Sequence, residues 1–100
     1  VEHMRNVYDQ RRRIMVDGFR QMGLSCFEPM GAFYVFPNIS STGLSSEVFS
    51  EQLLMQQKVD AVPGTAFGAT GEGFLRCSYA TSTEKIIMAL ERIGQFVKTL

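Results

Sequence analysis

The stretch PGTAFGATGEGFLRCSYATS, Pro63 to Ser82, decides the fold. From Pro63 to Gly73 it holds four glycines in eleven residues, which no regular element accommodates cheaply. Phe67 sits inside that segment, so a structured loop laid against something is expected. Phe74 to Tyr79 reads as a strand. Alternation sets Leu75, Cys77 and Tyr79 on one face and Phe74, Arg76 and Ser78 on the other. Thr81-Ser82-Thr83-Glu84 predicts a Thr-x-x-Glu capping box that opens the last helix. Ile86, Leu90, Ile93 and Val97 then recur as one helical stripe.

Upstream, Lys58 to Val62 reads as a short strand and Ser46 to Gln57 as a helix, with Ser45 as its cap and Phe49, Leu53 and Leu54 facing inward. Asn38 to Gly43 is a polar loop. Ala32 to Phe36 is an aromatic, β-branched strand stopped by Pro37. Glu28-Pro29-Met30-Gly31 is a turn, and Leu24 to Phe27 a short strand. Val1 to Met22 is one long amphipathic helix. Met4, Tyr8, Arg11, Met15, Phe19 and Met22 form its inner side, and Gly23 is its C-terminal stop. Gly18 weakens that helix by about 1 kcal/mol relative to alanine. The order α-β-β-α-β-β-α predicts an α+β two-layer sandwich, with the helices on one face of a small sheet.

Composition narrows the function. One hundred residues fit one domain. Apolar residues make up 45% and charged residues 20%, with ten basic and ten acidic side chains, so the chain is not disordered. A net charge of zero argues against nucleic-acid binding without a strong local patch. No apolar run reaches the about 18 residues a membrane span needs, and no leader-like segment opens the chain. Cys26 and Cys77 form no disulfide framework and read as reduced core residues. His3, the one histidine, sits at the frayed start and assembles neither a zinc site nor a catalytic triad. The glycine loop lacks a Gly-Lys-Ser/Thr ending and leads into a strand, which argues against a phosphate cradle.

Arg76 carries the most information. A mid-strand guanidinium among Phe74, Leu75 and Cys77 needs an anionic partner, or it suffers a large desolvation cost. That partner is either internal, with Glu28 or Glu72 as candidates, or a ligand carboxylate or phosphate gripped by both arms of the fork. The Arg11-Arg12-Arg13 run reads as a solvated helix face. Phe33 and Tyr34 read as core or sheet-face aromatics, one of which could wall a pocket.

The same residues resemble the C-terminal part of class I/II aminotransferases, which are pyridoxal-phosphate-dependent enzymes of fold type I. The likeness rests on Pro-Gly-x-x-Phe-Gly at Pro63 to Gly68 and Gly-Glu-Gly-Phe-Leu-Arg at Gly71 to Arg76. GAFYVFPNI at Gly31 to Ile39, YDQRRRIMVDGFRQMG at Tyr8 to Gly23 and the closing ALERI at Ala89 to Ile93 extend it in the right order. The resemblance implies that residues 1–100 are the small C-terminal domain of such an enzyme, cut inside an interdomain helix, with the large cofactor-binding domain absent. It implies that Arg76 binds the α-carboxylate of an amino-acid or 2-oxo-acid substrate, and that Tyr34, Phe33 and Phe67 wall the pocket. It also implies a cytoplasmic homodimer using pyridoxal 5'-phosphate. No Schiff-base lysine is recognisable at Lys58, Lys85 or Lys98, so the isolated chain is expected to be inactive. Three other readings stay open: a stand-alone carboxylate-binding or regulatory domain, an interaction module, and the small domain of a carbon–sulfur lyase on the same scaffold.

Overall fold

A computed structural model describes residues 2–29 and 33–100. The side chains of His3 and Met4, the Met30-Gly31 half of the turn, and Ala32 lie outside the described residues. The first helix, α1, spans Glu2–Gln21. It ends as Gly23 predicts: Gly23 turns left-handed (φ 89°), its N–H bonds to the Arg20 carbonyl at 3.0 Å, and the Leu24 N–H bonds to the Phe19 carbonyl at 2.9 Å. These two bonds satisfy carbonyls that the helix end would leave orphaned. Strands β1 (Cys26–Phe27) and β2 (Tyr34–Pro37) follow, then α2 (Ser46–Gln57), β3 (Val62–Pro63), β4 (Leu75–Ser78) and α3 (Thr83–Lys98).

The strands form one antiparallel sheet in the order β1-β2-β4-β3. Val35 and Pro37 of β2 and Leu75 of β4 turn inward and are buried. Tyr34, Phe36 and Arg76 project from the other face and stay half-buried. The two-layer α+β sandwich is therefore present, with its helices on one side. Phe19 of α1, Phe49 and Leu53 of α2, and Ile86 and Phe96 of α3 fill the space between helices and sheet. The rings of Phe49 and Phe96 meet edge-on at 5.0 Å. Arg92 of α3 donates to the Gln57 carbonyl at 3.3 Å, a cation placed at the negative end of α2.

Several local expectations need correction. Lys58 does not begin a strand: it takes a left-handed conformation (φ 59°) as the C-cap of α2, so pairing starts only at Val62. Leu54 is exposed; Leu53, about 100° away on the same helix, takes the inward place. Val16 and Phe96, outside the expected stripes, are buried. The cap of α3 is Ser82, whose hydroxyl accepts from the Lys85 N–H at 3.2 Å, and the box does not start at Thr81. Cys26 and Cys77 are free thiols packed against the core but only half-buried. Burial pushes Cys77 up to about 12 and Cys26 up to about 11. Gly18 has a structural reason: a Cβ there would come within 2.7 Å of Leu90, so the glycine lets α1 and α3 approach closely.

Candidate functional site

The site is built on β4, whose alternation aims Arg76 away from the helices. On one edge Arg76 pairs with Val62 of β3, and on the other β4 runs beside β2, which carries Tyr34 on the same face. The guanidinium carbon lies 4.4 Å from the centre of the Tyr34 ring and 4.3 Å from the centre of the Phe67 ring. The strand pairing brings Tyr34 there. Phe67 arrives because the glycine loop folds back.

That loop makes two short 3-10 turns, Gly64–Phe67 and Ala69–Gly71. Its backbone crosses itself where Gly64 and Gly71 touch, leaving no room for a Cβ at either position. The Gly64 N–H bonds to the Phe74 carbonyl at 2.7 Å, which ties the loop to the start of β4. Glu72 fastens it further. Its carboxylate accepts from the Gly73 N–H at 2.8 Å and from the Ser46 N–H at 3.1 Å, at the positive end of α2. Ser46, through its neighbouring hydroxyl and its backbone N–H, and then the Gly73 N–H, hold the Glu72 carboxyl below the usual range.

Glu72 is engaged at α2. Glu28 pairs with Arg12 at 2.7 Å, and Arg12 also meets Asp9 at 2.7 Å. Among the described residues no carboxylate forms an ion pair with Arg76. Its apolar neighbours are two ring faces, which attract a cation but leave its N–H donors unused. The arginine run also departs from a plainly solvated face. Arg12 links α1 to the segment after β1, Arg13 pairs with Asp9 at 3.1 Å, and Arg11 donates to the Thr83 hydroxyl at 3.3 Å.

Of the four site candidates, the structure gathers Arg76, Tyr34 and Phe67. Phe33 stands apart: its ring lies 4.8 Å from that of Tyr8 and 6.0 Å from that of Tyr79. A cavity of about 440 Å³ opens between α3 and the segment before β3, and Arg76, Tyr34, Ser78 and Thr81 contribute to its lining. Sequence reasoning missed the stacking of Phe67 on Arg76. The signal was a ring in a glycine-rich loop shortly before a strand arginine, but only the fold-back joins them.

The three lysines do not supply a cofactor site. Lys58 caps α2 and Lys85 lies in the first turn of α3; both border the cavity beside Arg76 but at its solvent-exposed rim, and Lys98, in the last turn of α3, is exposed as well. An amine that condenses with a carbonyl cofactor has to be enclosed and held against it. The residues of this chain therefore do not fit pyridoxal phosphate by themselves.

Fold and site together present one strand-borne arginine between two rings on a small α+β unit, and comparison with known proteins identifies the family. The family model described as aminotransferase class I and II matches residues 1–93. The chain belongs to that family. It is 53% identical over 97 residues to the putative aminotransferase YugH of Bacillus subtilis, covering 97% of this chain and 25% of that protein. It is 57% identical over 94 residues to an aspartate aminotransferase of Pyrococcus horikoshii, covering 93% and 24%. The crystal structure of an aromatic aminotransferase from Pyrococcus horikoshii superposes with a TM-score of 0.93 at 48% identity, over 98% of this chain and 26% of that one. A Thermus thermophilus aspartate aminotransferase solved with maleate superposes with a TM-score of 0.84 at 38% identity, over 94% and 24%. The chain thus spans about a quarter of the length of the relatives it matches.

Proposed function

We propose that residues 1–100 form the small C-terminal domain of a larger aminotransferase that moves an amino group between an L-amino acid and a 2-oxo acid. The observation that carries this is Arg76: a half-buried guanidinium on the helix-free face, flanked by two rings and engaged by no carboxylate among the described residues. Its role is to take the substrate's α-carboxylate through two parallel N–H···O bonds. Fixing that end of the substrate orients the bonds of the α-carbon, which contributes to rate through positioning. Phe67 and Tyr34 wall the site, and Phe33, packed on Tyr8 and Tyr79, takes no part in it. Pyridoxal 5'-phosphate belongs to the remainder of the enzyme, where it supplies the electron sink for the reaction. Binding of the carboxylate to Arg76 also favours closure of this domain over the cofactor. The family membership supports a cytoplasmic homodimer as the working form. No helix among the described residues is long and apolar enough to cross a membrane.

The test is the full-length enzyme carrying Arg76→Lys. An ammonium is a point charge and cannot reproduce the fork. The KM for both amino donor and oxo acid is expected to rise about a hundredfold. Kinetics equal to those of the unmodified enzyme would remove Arg76 from the site. Release of ammonia and pyruvate from a cysteine-derived thioether, without amino transfer, would assign the lyase chemistry instead. Tight calorimetric binding of an amino acid to the isolated 100-residue chain would assign the sensor role.

A further inference from the structure

The arrangement around Arg76 specifies more than a positive charge. Its guanidinium carbon is 4.4 Å from the Tyr34 ring centre and 4.3 Å from the Phe67 ring centre, while the acids nearest in expectation, Glu28 and Glu72, are engaged elsewhere. A long arginine side chain on an exposed sheet face would ordinarily sample many rotamers. Two rings restrict those choices without using a single N–H donor, because cation–π contact engages the flat face of the guanidinium and hydrogen bonds engage its edge. A carboxylate is planar and matches that edge in a two-bond arrangement.

We propose that Phe67 and Tyr34 are positioning residues that hold the Arg76 fork with its edge presented to the substrate, so that they set carboxylate affinity through Arg76. The inference rests on the carboxylate-clamp reading of Arg76 and extends it. The two rings are mounted differently. Tyr34 is fixed by strand pairing opposite Ser78, whereas Phe67 is 51% exposed and rides on the loop tied down by Gly64 and Glu72. Phe67 is therefore the ring that can be altered without disturbing the core.

The experiment is a double-mutant cycle in the full-length enzyme, with maleate as the carboxylate probe read by calorimetry and the amino donor read by steady-state kinetics. Phe67→Leu is expected to raise the maleate Kd and the donor KM about five- to tenfold, with kcat within about twofold. Phe67→Tyr, which keeps a ring face, restores both. In the Arg76→Lys background, Phe67→Leu adds less than about twofold, because the fork it positions is gone. An unchanged Kd in Phe67→Leu overturns the inference, and so does the same factor appearing in both backgrounds. If Arg76→Lys alone binds maleate as tightly as the unmodified enzyme, it is the clamp reading itself that fails.

Discussion

Two charged side chains within one short segment are given opposite employment. Glu72 spends its carboxylate on two backbone donors, the N–H groups of Gly73 and Ser46, and Arg76 keeps its donors. The Glu72 carboxyl is held below its usual range, chiefly by Ser46, so its ionised form favours the folded state. Stability from this group is complete above the unfolded carboxylate range and fades as pH falls through the lowered folded value. Glu72→Gln is expected to lower the melting temperature of the chain at pH 7, and the gap between variant and parent should narrow as pH falls below the ordinary carboxylate range. A gap of constant size from pH 7 to 3, measured by circular dichroism melts, would show that the charge is not what matters.

At the scale of elements, the loop between β3 and β4 is a fixed piece of structure. Gly64 and Gly71 pass so closely that a Cβ on Gly64 would sit 2.7 Å from the Phe74 carbonyl oxygen and closer still to that of Gly71. Backbone cannot swing aside as a side chain can. Gly64→Ala is expected to destabilise the chain by about 3 kcal/mol. Gly43 is the internal control: it has a positive φ of 85° but open space around it, so Gly43→Ala costs about 1 to 2 kcal/mol for the left-handed conformation alone. Urea titrations of the two variants compare them directly, and equal losses would mean that the crossing is not tight. Gly18 follows the opposite logic, since the atom it spares is the far end of the Leu90 side chain.

Across the whole molecule, the helices cover one face of the sheet and leave the other with Tyr34, Phe36 and Arg76 half-exposed and Phe27 60% exposed opposite Phe36. Apolar rings gathered on one face mark an interaction surface. In the proposed enzyme that face looks toward the cofactor-bearing remainder. The 100-residue chain alone is therefore expected to self-associate at about 100 μM and to bind a hydrophobic dye, both effects weakening in Phe27→Ser. A chain that sediments as a monomer at that concentration and leaves the dye dark would argue that this face needs no cover.

The amino-acid sequence by itself determined what depends on near neighbours: the helix stripes, the Gly23 stop, the Ser45 cap, the strand alternation that turns Arg76 away from Leu75 and Cys77, and the family motifs. These are set by backbone sterics and periodicity, which act over a few residues. Only the tertiary structure decided which of Leu53 and Leu54 is buried, that Lys58 caps a helix and starts no strand, that Gly18 makes room for Leu90, and where Glu28 and Glu72 spend their charge. Above all it decided that Phe67 lies on Arg76 and Phe33 does not. Those outcomes depend on contacts between segments far apart along the chain, and such contacts are fixed by how whole elements pack.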